Sequence, residues 1–349
     1  MLPILKNILK LLIFLGIGIG IMYYLYDKNQ TSYLEHCQQQ MMAPEDCNLF
    51  KKLKTDFSQL NYFWIGLIFV GFAMTNYSRT RRWQIILETM NYKPGFGNAF
   101  SAVCIAYLAN LGFPRIGEFV RAGVLARQEN LPVEKVFGSV VLDRVADMLS
   151  FIALVLLAFC LDWKTFEHFF EKYAQLPSFH LNYYSVGIII LLAGIVWFFR
   201  NSILDIKIVR KFYAVIQGVL TSLKSIRNLK KRNAFILHTV LIWVWFFLMF
   251  VFACKSFNPT AALKPVQMLV VYVFGSFGVF IPSPGGMGTY HYLVALSLGL
   301  YGILQADAFS FANIAFTWGQ FLALILFGTA SLIWTYALSP RKLKGKHPE

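Results

Sequence analysis

Long apolar runs separated by short charged segments form the main pattern of this sequence. Six of the runs are near or above the length of about 20 residues that a helix needs to cross a hydrocarbon core. We therefore predict an all-α polytopic membrane protein with about six full transmembrane helices. The predicted spans are residues 8–26, 60–76, 136–161, 185–199, 234–253 and 309–336.

Two further apolar stretches are interrupted by glycine and proline, within residues 98–127 and within residues 266–304. Proline lacks a backbone donor and glycine weakens a helix, so the interruptions are not expected to be helical. Unwound backbone at membrane depth persists only where protein or water covers its polar groups. We predict that residues 98–127 form a re-entrant hairpin from the inside. Residues 266–304 are predicted to form a re-entrant hairpin, or a pair of short helices, from the outside.

The composition agrees with a lipid environment. Hydrophobic residues make up 57% of the chain and charged residues only 14%, whereas soluble domains carry about 25% charged residues. A net charge of +15 on so apolar a chain is explained by the side of the membrane on which the charges lie, and we expect no nucleic-acid partner. The sequence contains no nucleotide-binding or metal-ligand motif, so we expect no cofactor and no metal.

The distribution of positive residues predicts the orientation, because Lys and Arg collect in cytoplasmic loops. Residues 200–233 contain nine of them and the tail after residue 338 contains four. Both termini are therefore predicted to be cytoplasmic in the cell (inner) membrane, with residues 27–59 as an external loop. Residues 203–226 have apolar positions at helical spacing between basic ones, which predicts an amphipathic helix on the cytoplasmic leaflet or, alternatively, a soluble connector. No small-residue cleavage pattern follows the first run, so we expect a retained helix and not a cleaved signal peptide.

This topology contains an inverted repeat. The spans at 60–76 and 136–161 enclose the inner hairpin, and the spans at 234–253 and 309–336 enclose the outer one in the opposite orientation. Inverted repeats with broken helices at matching places are typical of transporters, whose substrate site lies where the breaks meet.

Ionisable side chains cluster beside the first break and in the following span. Glu118 and Arg121 share one helix face, and Asp143 and Asp147 lie one turn apart with Arg144 between them. Charges inside a membrane are costly and usually line a cavity or pair with each other. One interpretation is a site for an anionic head group, for which arginine is well suited. The other is an ion-pair network that only fastens the hairpin to the next helix.

Three further features can each be interpreted as functional or as purely structural. The loop with Gly286 and Gly288 either presents backbone amides to a ligand or only permits close packing, and His291 is either a proton carrier or a hydrogen-bonding residue. Arg81-Arg82-Trp83 is interpreted as an interfacial anchor, with contact to a lipid phosphate as the alternative. Cys37 and Cys47 are predicted to form a disulfide in the external loop.

The ordered set of motifs resembles a known family. Its parts are Arg81-Arg82-Trp83, then Asn110 to Pro114-Arg115-x-Gly117-Glu118-x-x-Arg121 with Asp143-Arg144-x-x-Asp147, and Pro282-Ser-Pro284-Gly285-Gly286-Met-Gly288. Together they resemble the transmembrane part of lysylphosphatidylglycerol synthases and its stand-alone, flippase-like relatives, over roughly residues 5–338. The family commonly has an acidic residue where this chain has His291, and Glu-Arg where it has Asp143-Arg144.

The resemblance implies movement of an anionic or modified (aminoacyl or glycosyl) lipid between leaflets. It implies a substrate site built from residues of both breaks and of the following span: Asn110, Pro114, Arg115, Glu118, Arg121, Asp143, Arg144, Asp147, Pro284, Gly285, Gly286, Gly288 and His291. The soluble synthase domain is expected to be absent, so we expect no aminoacyl transfer and no enzyme. The alternative functions are a membrane enzyme, or an accessory subunit of a partner membrane enzyme, acting on a lipid phosphate or polyprenyl-phosphate substrate.

Overall fold

The computed structural model describes residues 2–41, 47–112, 116–174, 230–281, 283 and 286–338, and their secondary structure is entirely helical. The all-α prediction is confirmed. The chain divides into two compact units, one of residues 1–162 with 233–349 and one of residues 163–232. The predicted span 185–199 and the predicted amphipathic helix 203–226 lie outside the described residues.

The first helix of the larger unit is longer than the predicted first span. Helix α1 (Leu2–Gln39) includes residues 8–26 and continues into the predicted external loop 27–59. The loop also contains helix α2 (Leu49–Ser58), whose first turn is capped by Asn48. The helix continues because Leu25, Tyr33 and Cys37, at helical spacing, are buried in one apolar cluster with Leu49 of α2.

Helix α3 (Tyr62–Thr89) also extends well past its predicted end at residue 76. Asn61 caps its start by accepting a hydrogen bond from the amide of Phe63 over 3.1 Å. The axes of α2 and α3 differ by 79°. The extra turns of α3 carry two buried arginines, Arg79 and Arg82. Hydropathy alone predicts that a span ends where such charged residues begin.

The first predicted hairpin is a pair of helices, α4 (Phe96–Gly112) and α5 (Gly117–Glu129), packed against each other. Helix α5 ends at Asn130, which adopts the left-handed conformation. Helix α6 (Val133–Leu161) follows and packs against both α5 and α3. The described part of the smaller unit contains helix α7 (Trp163–Ala174).

The second half of the larger unit also contains a pair of packed helices between two longer helices. Helix α8 (Arg232–Ser256) and the short α9 (Asn258–Ala261) are followed by α10 (Pro265–Phe280) and α11 (Thr289–Leu300), which pack against each other as the second hairpin. The last long helix consists of α12 (Gln305–Ala315), a π-helical segment (Phe316–Leu322), α13 (Ala323–Ile333) and a second π-helical segment (Trp334–Leu338).

Among the described residues, three helices are long and apolar enough to cross a membrane. They are α6, α8 and the continuous helix 305–337, and a fourth span results if the bent pair of α2 and α3 counts as one. The count of six spans, the re-entrant character of the two hairpins and the inverted repeat stay predictions.

Candidate functional site

One face of α6 carries polar side chains into the protein interior. Ser139, Asp143 and Asp147 lie four residues apart and are all buried, together with the neighbouring Val136 and Val140. A spacing of four residues places side chains above one another on a helix. Two carboxylates in such positions repel each other unless cations lie between them.

Two arginines of α3 supply these cations. Arg79 and Arg82 lie one turn apart on the face of α3 that meets α6, and both are buried. Arg79 Nη1 donates to Asp147 Oδ2 over 2.5 Å and lies 3.7 Å from Asp143 Oδ2. Arg82 Nη2 lies 2.7 Å from Asp143 Oδ1 and 2.6 Å from Asp147 Oδ1, so it bridges the two carboxylates.

A third buried arginine belongs to α5. Arg121 Nη1 donates to Asp143 Oδ2 over 2.7 Å, which ties the first hairpin to α6. Its guanidinium carbon lies 3.9 Å from the centre of the Trp83 ring, a cation–π contact. The indole nitrogen of Trp83 in turn donates to Ser139 Oγ over 2.8 Å.

A fourth arginine, Arg144, lies at the exposed edge of this group of charged residues. Arg144 Nη2 lies 2.8 Å from Glu118 Oε1, and Arg144 Nη1 lies 3.4 Å from Asp147 Oδ2. The Arg144 side chain is 37% exposed and that of Glu118 is 23% exposed, whereas the other members are nearly inaccessible. We call these residues the charged cluster: Arg79, Arg82, Glu118, Arg121, Asp143, Arg144 and Asp147.

The charged cluster has an excess of positive charge and of donors. It contains four guanidinium groups and three carboxylates among the described residues. Several buried guanidinium nitrogens have no hydrogen-bond partner in the part of the chain that the structure describes, among them Nε and Nη2 of Arg121 and Nε of Arg144. Because buried donors are normally paired, the cluster has capacity for a further acceptor of negative charge.

The structure brings together five of the residues predicted for the site: Glu118, Arg121, Asp143, Arg144 and Asp147. Arg144 lies 3.4 Å from Asp147, and among the described residues Glu118 pairs with Arg144 and not with Arg121. The dominant partners of the two aspartates, Arg79 and Arg82, were absent from the predicted site. The spacing in the sequence could have indicated this pairing. Arg79 and Arg82 are three residues apart on α3, and Asp143 and Asp147 are four residues apart on α6, so each pair lies on one face of its helix.

The interfacial interpretation of Arg81-Arg82-Trp83 requires a correction. Arg82 and Trp83 are fully buried, because Asp143 and Asp147 attract the guanidinium group and Ser139 accepts from the indole. Arg81 is exposed, in agreement with a position at the surface.

The break in the first hairpin is held by a side chain that the sequence had singled out. Asn110 Oδ1 accepts a hydrogen bond from the amide of Gly117 over 2.7 Å, at the first residue of α5. Gly117 is packed so closely that an added Cβ would contact the carbonyl oxygen of Ala106 in α4. Pro114 and Arg115 lie outside the described residues.

The break in the second hairpin has an internal hydrogen-bond network. Gly286 and Gly288 both have φ of +83°, a conformation that favours glycine. His291 is buried, and its Nδ1 accepts from the amide of Gly288 over 3.3 Å. Among the described residues, no hydrogen bond or ion pair joins His291 to the charged cluster, and Pro284 and Gly285 lie outside that part of the chain. This geometry favours the hydrogen-bonding interpretation of His291, and the proton-carrier role stays a prediction.

The two cysteines of the predicted disulfide lie in one small core. Cys37 in α1 and Cys47 just before α2 are both buried in the apolar cluster that includes Leu49 and Phe309. Gln30 fastens this region, since its amide group bonds to the carbonyl of Cys47 and accepts from the amide of Leu49. The structure holds the Cys37 side chain as a thiol, without a bond to Cys47, so the disulfide stays a prediction that the structure does not show.

Comparison with known proteins identifies the family. A sequence model described as the lysylphosphatidylglycerol synthase transmembrane region matches residues 49–338, which include every member of the charged cluster and both hairpins. Neither a curated protein nor a solved structure matches the chain significantly. The long apolar helices and this match identify a multi-pass membrane protein. The chain belongs to the family of the lysylphosphatidylglycerol synthase transmembrane region.

Proposed function

We propose that this chain moves an anionic lipid, or a lipid modified with an aminoacyl or glycosyl group, between the leaflets of the cell (inner) membrane, with both termini in the cytoplasm. The family supports a lipid as the substrate, because its description names a synthase of lysylphosphatidylglycerol. The charged cluster supports an anionic head group as the part that is recognised.

The observation that carries this proposal is the exposed edge of the charged cluster. Arg144 is half-accessible and is neutralised by Glu118, which belongs to another helix. A lipid phosphate can replace Glu118 as the partner of Arg144, because a guanidinium group binds phosphate and carboxylate oxygens in the same forked geometry. The excess of one guanidinium group means that a bound phosphodiester would balance the charge of the cluster.

The buried part of the cluster has a different role in this proposal. Arg79 and Arg82 hold α3 against α6, so the backbone around Arg144 is fixed when a head group arrives. A head group in hydrocarbon is costly unless charges and donors surround it, and the cluster supplies both. The acyl chains remain in the bilayer while the head group moves, driven by a lipid or an ion gradient.

We propose a transporter and not an enzyme, because the two buried aspartates of the charged cluster are poorly placed for catalysis. Asp143 contacts Arg82 and Arg121, and Asp147 contacts Arg79, Arg82 and Arg144. A carboxylate compensated by two or three guanidinium groups is a weak base and a weak nucleophile.

The test is leaflet exchange of a fluorescent phosphatidylglycerol in proteoliposomes, with dithionite as the quencher of the outer leaflet. We expect Arg144→Ala to reduce the exchange rate at least about tenfold, the effect of losing one charge-assisted contact, and Arg144→Lys to retain part of it. Arg127→Ala, which removes an exposed arginine of α5, is the matched control. Exchange at the wild-type rate in folded Arg144→Ala would rule out this site.

A second candidate function is an accessory subunit of a membrane enzyme that acts on a lipid phosphate or polyprenyl phosphate. The observation in its favour is the near-complete pairing of Asp143 and Asp147, which suits a structural role. The purified wild-type chain distinguishes the two, since an accessory subunit would not exchange lipid on its own.

A further inference from the structure

Arg81 and its neighbour Arg82 lie in different surroundings. The two residues are adjacent on α3, but Arg82 is fully buried in the charged cluster and Arg81 is exposed. The guanidinium carbon of Arg81 lies 5.4 Å from the centre of the Tyr77 ring and 4.7 Å from that of Phe96. Two rings from different helices therefore hold an exposed cation in one place.

The polar contacts of Arg81 leave its charge uncompensated. Its Nε donates to the Tyr77 hydroxyl over 3.4 Å and its Nη1 to Gln84 Oε1 over 3.3 Å. Both bonds are long and both acceptors are neutral. Gln84 is itself fixed, since its Nε2 donates to the carbonyl of Pro94 over 2.9 Å. Across the ranges that the structure describes, no carboxylate lies within ion-pair distance of Arg81.

The surroundings of Arg81 are aromatic. Phe96 lies 5.4 Å from Tyr77 and 5.7 Å from Phe100, measured between ring centres, and Tyr77 lies 6.3 Å from His238 of α8. Tyr77 is 39% exposed. Tyrosine is enriched at the level of lipid head groups, because one end of its ring is apolar and the other carries a hydroxyl group.

We propose that Arg81, Tyr77, Phe96 and Gln84 form a binding site for the phosphodiester of an anionic phospholipid in the leaflet next to the C-terminal end of α3. Nη2 of Arg81, for which the structure shows no acceptor among the described residues, binds the phosphate oxygens, and the rings contact the glycerol and the upper acyl chains. Because the rings already restrict the arginine rotamer, little conformational entropy is lost on binding. This site is separate from the charged cluster and does not depend on the proposed transport.

The experiment is native mass spectrometry of the detergent-solubilised full chain titrated with phosphatidylglycerol. The comparison is made within Arg144→Ala, which removes the proposed head-group contact of the charged cluster. There we expect Arg81→Ala to weaken the tightest phosphatidylglycerol site about fivefold, the contribution of one basic residue at an anionic surface. Arg127→Ala, which removes an exposed arginine of α5, should bind as the wild type does. Phe96→Leu, which keeps Arg81 but removes one ring, should give an intermediate loss.

Two further ligands define the chemistry of the site. Phosphatidylcholine should show the same weak affinity for the wild type and for Arg81→Ala, because its phosphate already has an internal cation. Glycerol phosphate without acyl chains should not compete with phosphatidylglycerol. Equal phosphatidylglycerol affinity of Arg144→Ala with and without Arg81→Ala would overturn the proposal, and competition by glycerol phosphate would show a site for a soluble phosphate instead of a lipid. Since the measurement is binding, its outcome is independent of leaflet exchange.

Discussion

Arg82 holds the carboxylate of Asp143 through two nitrogen atoms. Its Nε donates to Oδ1 over 2.8 Å, and its Nη2 lies 2.7 Å from the same oxygen. Both side chains are fully buried, and Nη2 also reaches the backbone carbonyl of Asp143 over 3.3 Å. Since Arg82 belongs to α3 and Asp143 to α6, this pair fixes the two helices at the level of the charged cluster.

We predict that Asp143→Asn destabilises the protein severely. The substitution removes the carboxylate that Arg121 contacts and leaves Arg82 with Asp147 as its carboxylate partner. Removing one member of a buried pair costs about 3–5 kcal/mol. The free energy of unfolding, measured by titration with a denaturing detergent, gives the value. Glu134→Gln, an exposed position at the start of the same helix, should change it little. Equal stability of the two variants would mean that the pair contributes nothing to the fold.

The sequence predicted five of the seven members of the charged cluster for the site, and the absence of the other two, Arg79 and Arg82, has a physical reason. Asp143, Arg144 and Asp147 stand out because charges interrupt an apolar run. Arg79 and Arg82 lie where an apolar run ends, and such arginines are usually interfacial. Their burial follows from the partner helix, and no local pattern in α3 shows which helix packs against it.

The sequence predicted the presence of the helices better than their lengths. Glycine and proline stand in the sequence between the helices of each pair, α4 with α5 and α10 with α11, because local backbone chemistry determines where a helix is interrupted. Hydropathy underestimated α1 and α3, since it detects the part of a helix that lipid covers. The ends of both helices are fixed by contacts inside the protein, through Tyr33 and Cys37 in α1 and through Arg82 in α3.

In the hydrogen bond between Trp83 and Ser139, loss of the donor and loss of the acceptor should have different costs. Trp83→Phe removes the donor and should cost about 0.5–1.5 kcal/mol for the bond, because Ser139 Oγ still donates to the carbonyl of Val136 over 2.6 Å. Ser139→Ala leaves the buried indole N–H without an acceptor and should cost about 1–3 kcal/mol. Thermal unfolding of both variants and of the double variant measures the coupling. A double variant whose loss equals the sum of the two single losses would show that the bond has no energetic role.

Close glycine contacts in both hairpins give a third prediction. A Cβ added to Gly278 in α10 would lie 2.6 Å from Tyr290 Cα and 2.7 Å from the carbonyl oxygen of Thr289 in α11. The contact is with backbone, which cannot move aside, so Gly278→Ala should separate the two helices and lower the melting temperature. Gly117→Ala should act in the same way on the first hairpin.

The matched control for both glycine variants is Gly138→Ala in α6. No atom lies within 4 Å of an added Cβ at Gly138, and alanine is favoured over glycine inside a helix by about 0.5–1 kcal/mol. Gly138→Ala should therefore leave the melting temperature unchanged or raise it. If Gly278→Ala and Gly138→Ala had the same melting temperature, α10 and α11 would not be packed as closely as the structure shows.

The last prediction concerns Cys37 and Cys47. Both are buried in the apolar cluster that joins α1 to α2 and α12, and an external location of residues 27–59 would expose them to oxidising conditions during folding. We expect a disulfide that closes a short loop and stabilises the protein by about 2–4 kcal/mol. In denatured protein without reductant, a maleimide polymer should then modify only Cys104, Cys160 and Cys254. After reduction it should modify all five cysteines. Cys37→Ser with Cys47→Ser should give three modifications under both conditions, which assigns the bond. Five modifications of the wild type without reductant would show that the two thiols are not joined and would favour a reducing compartment for this loop.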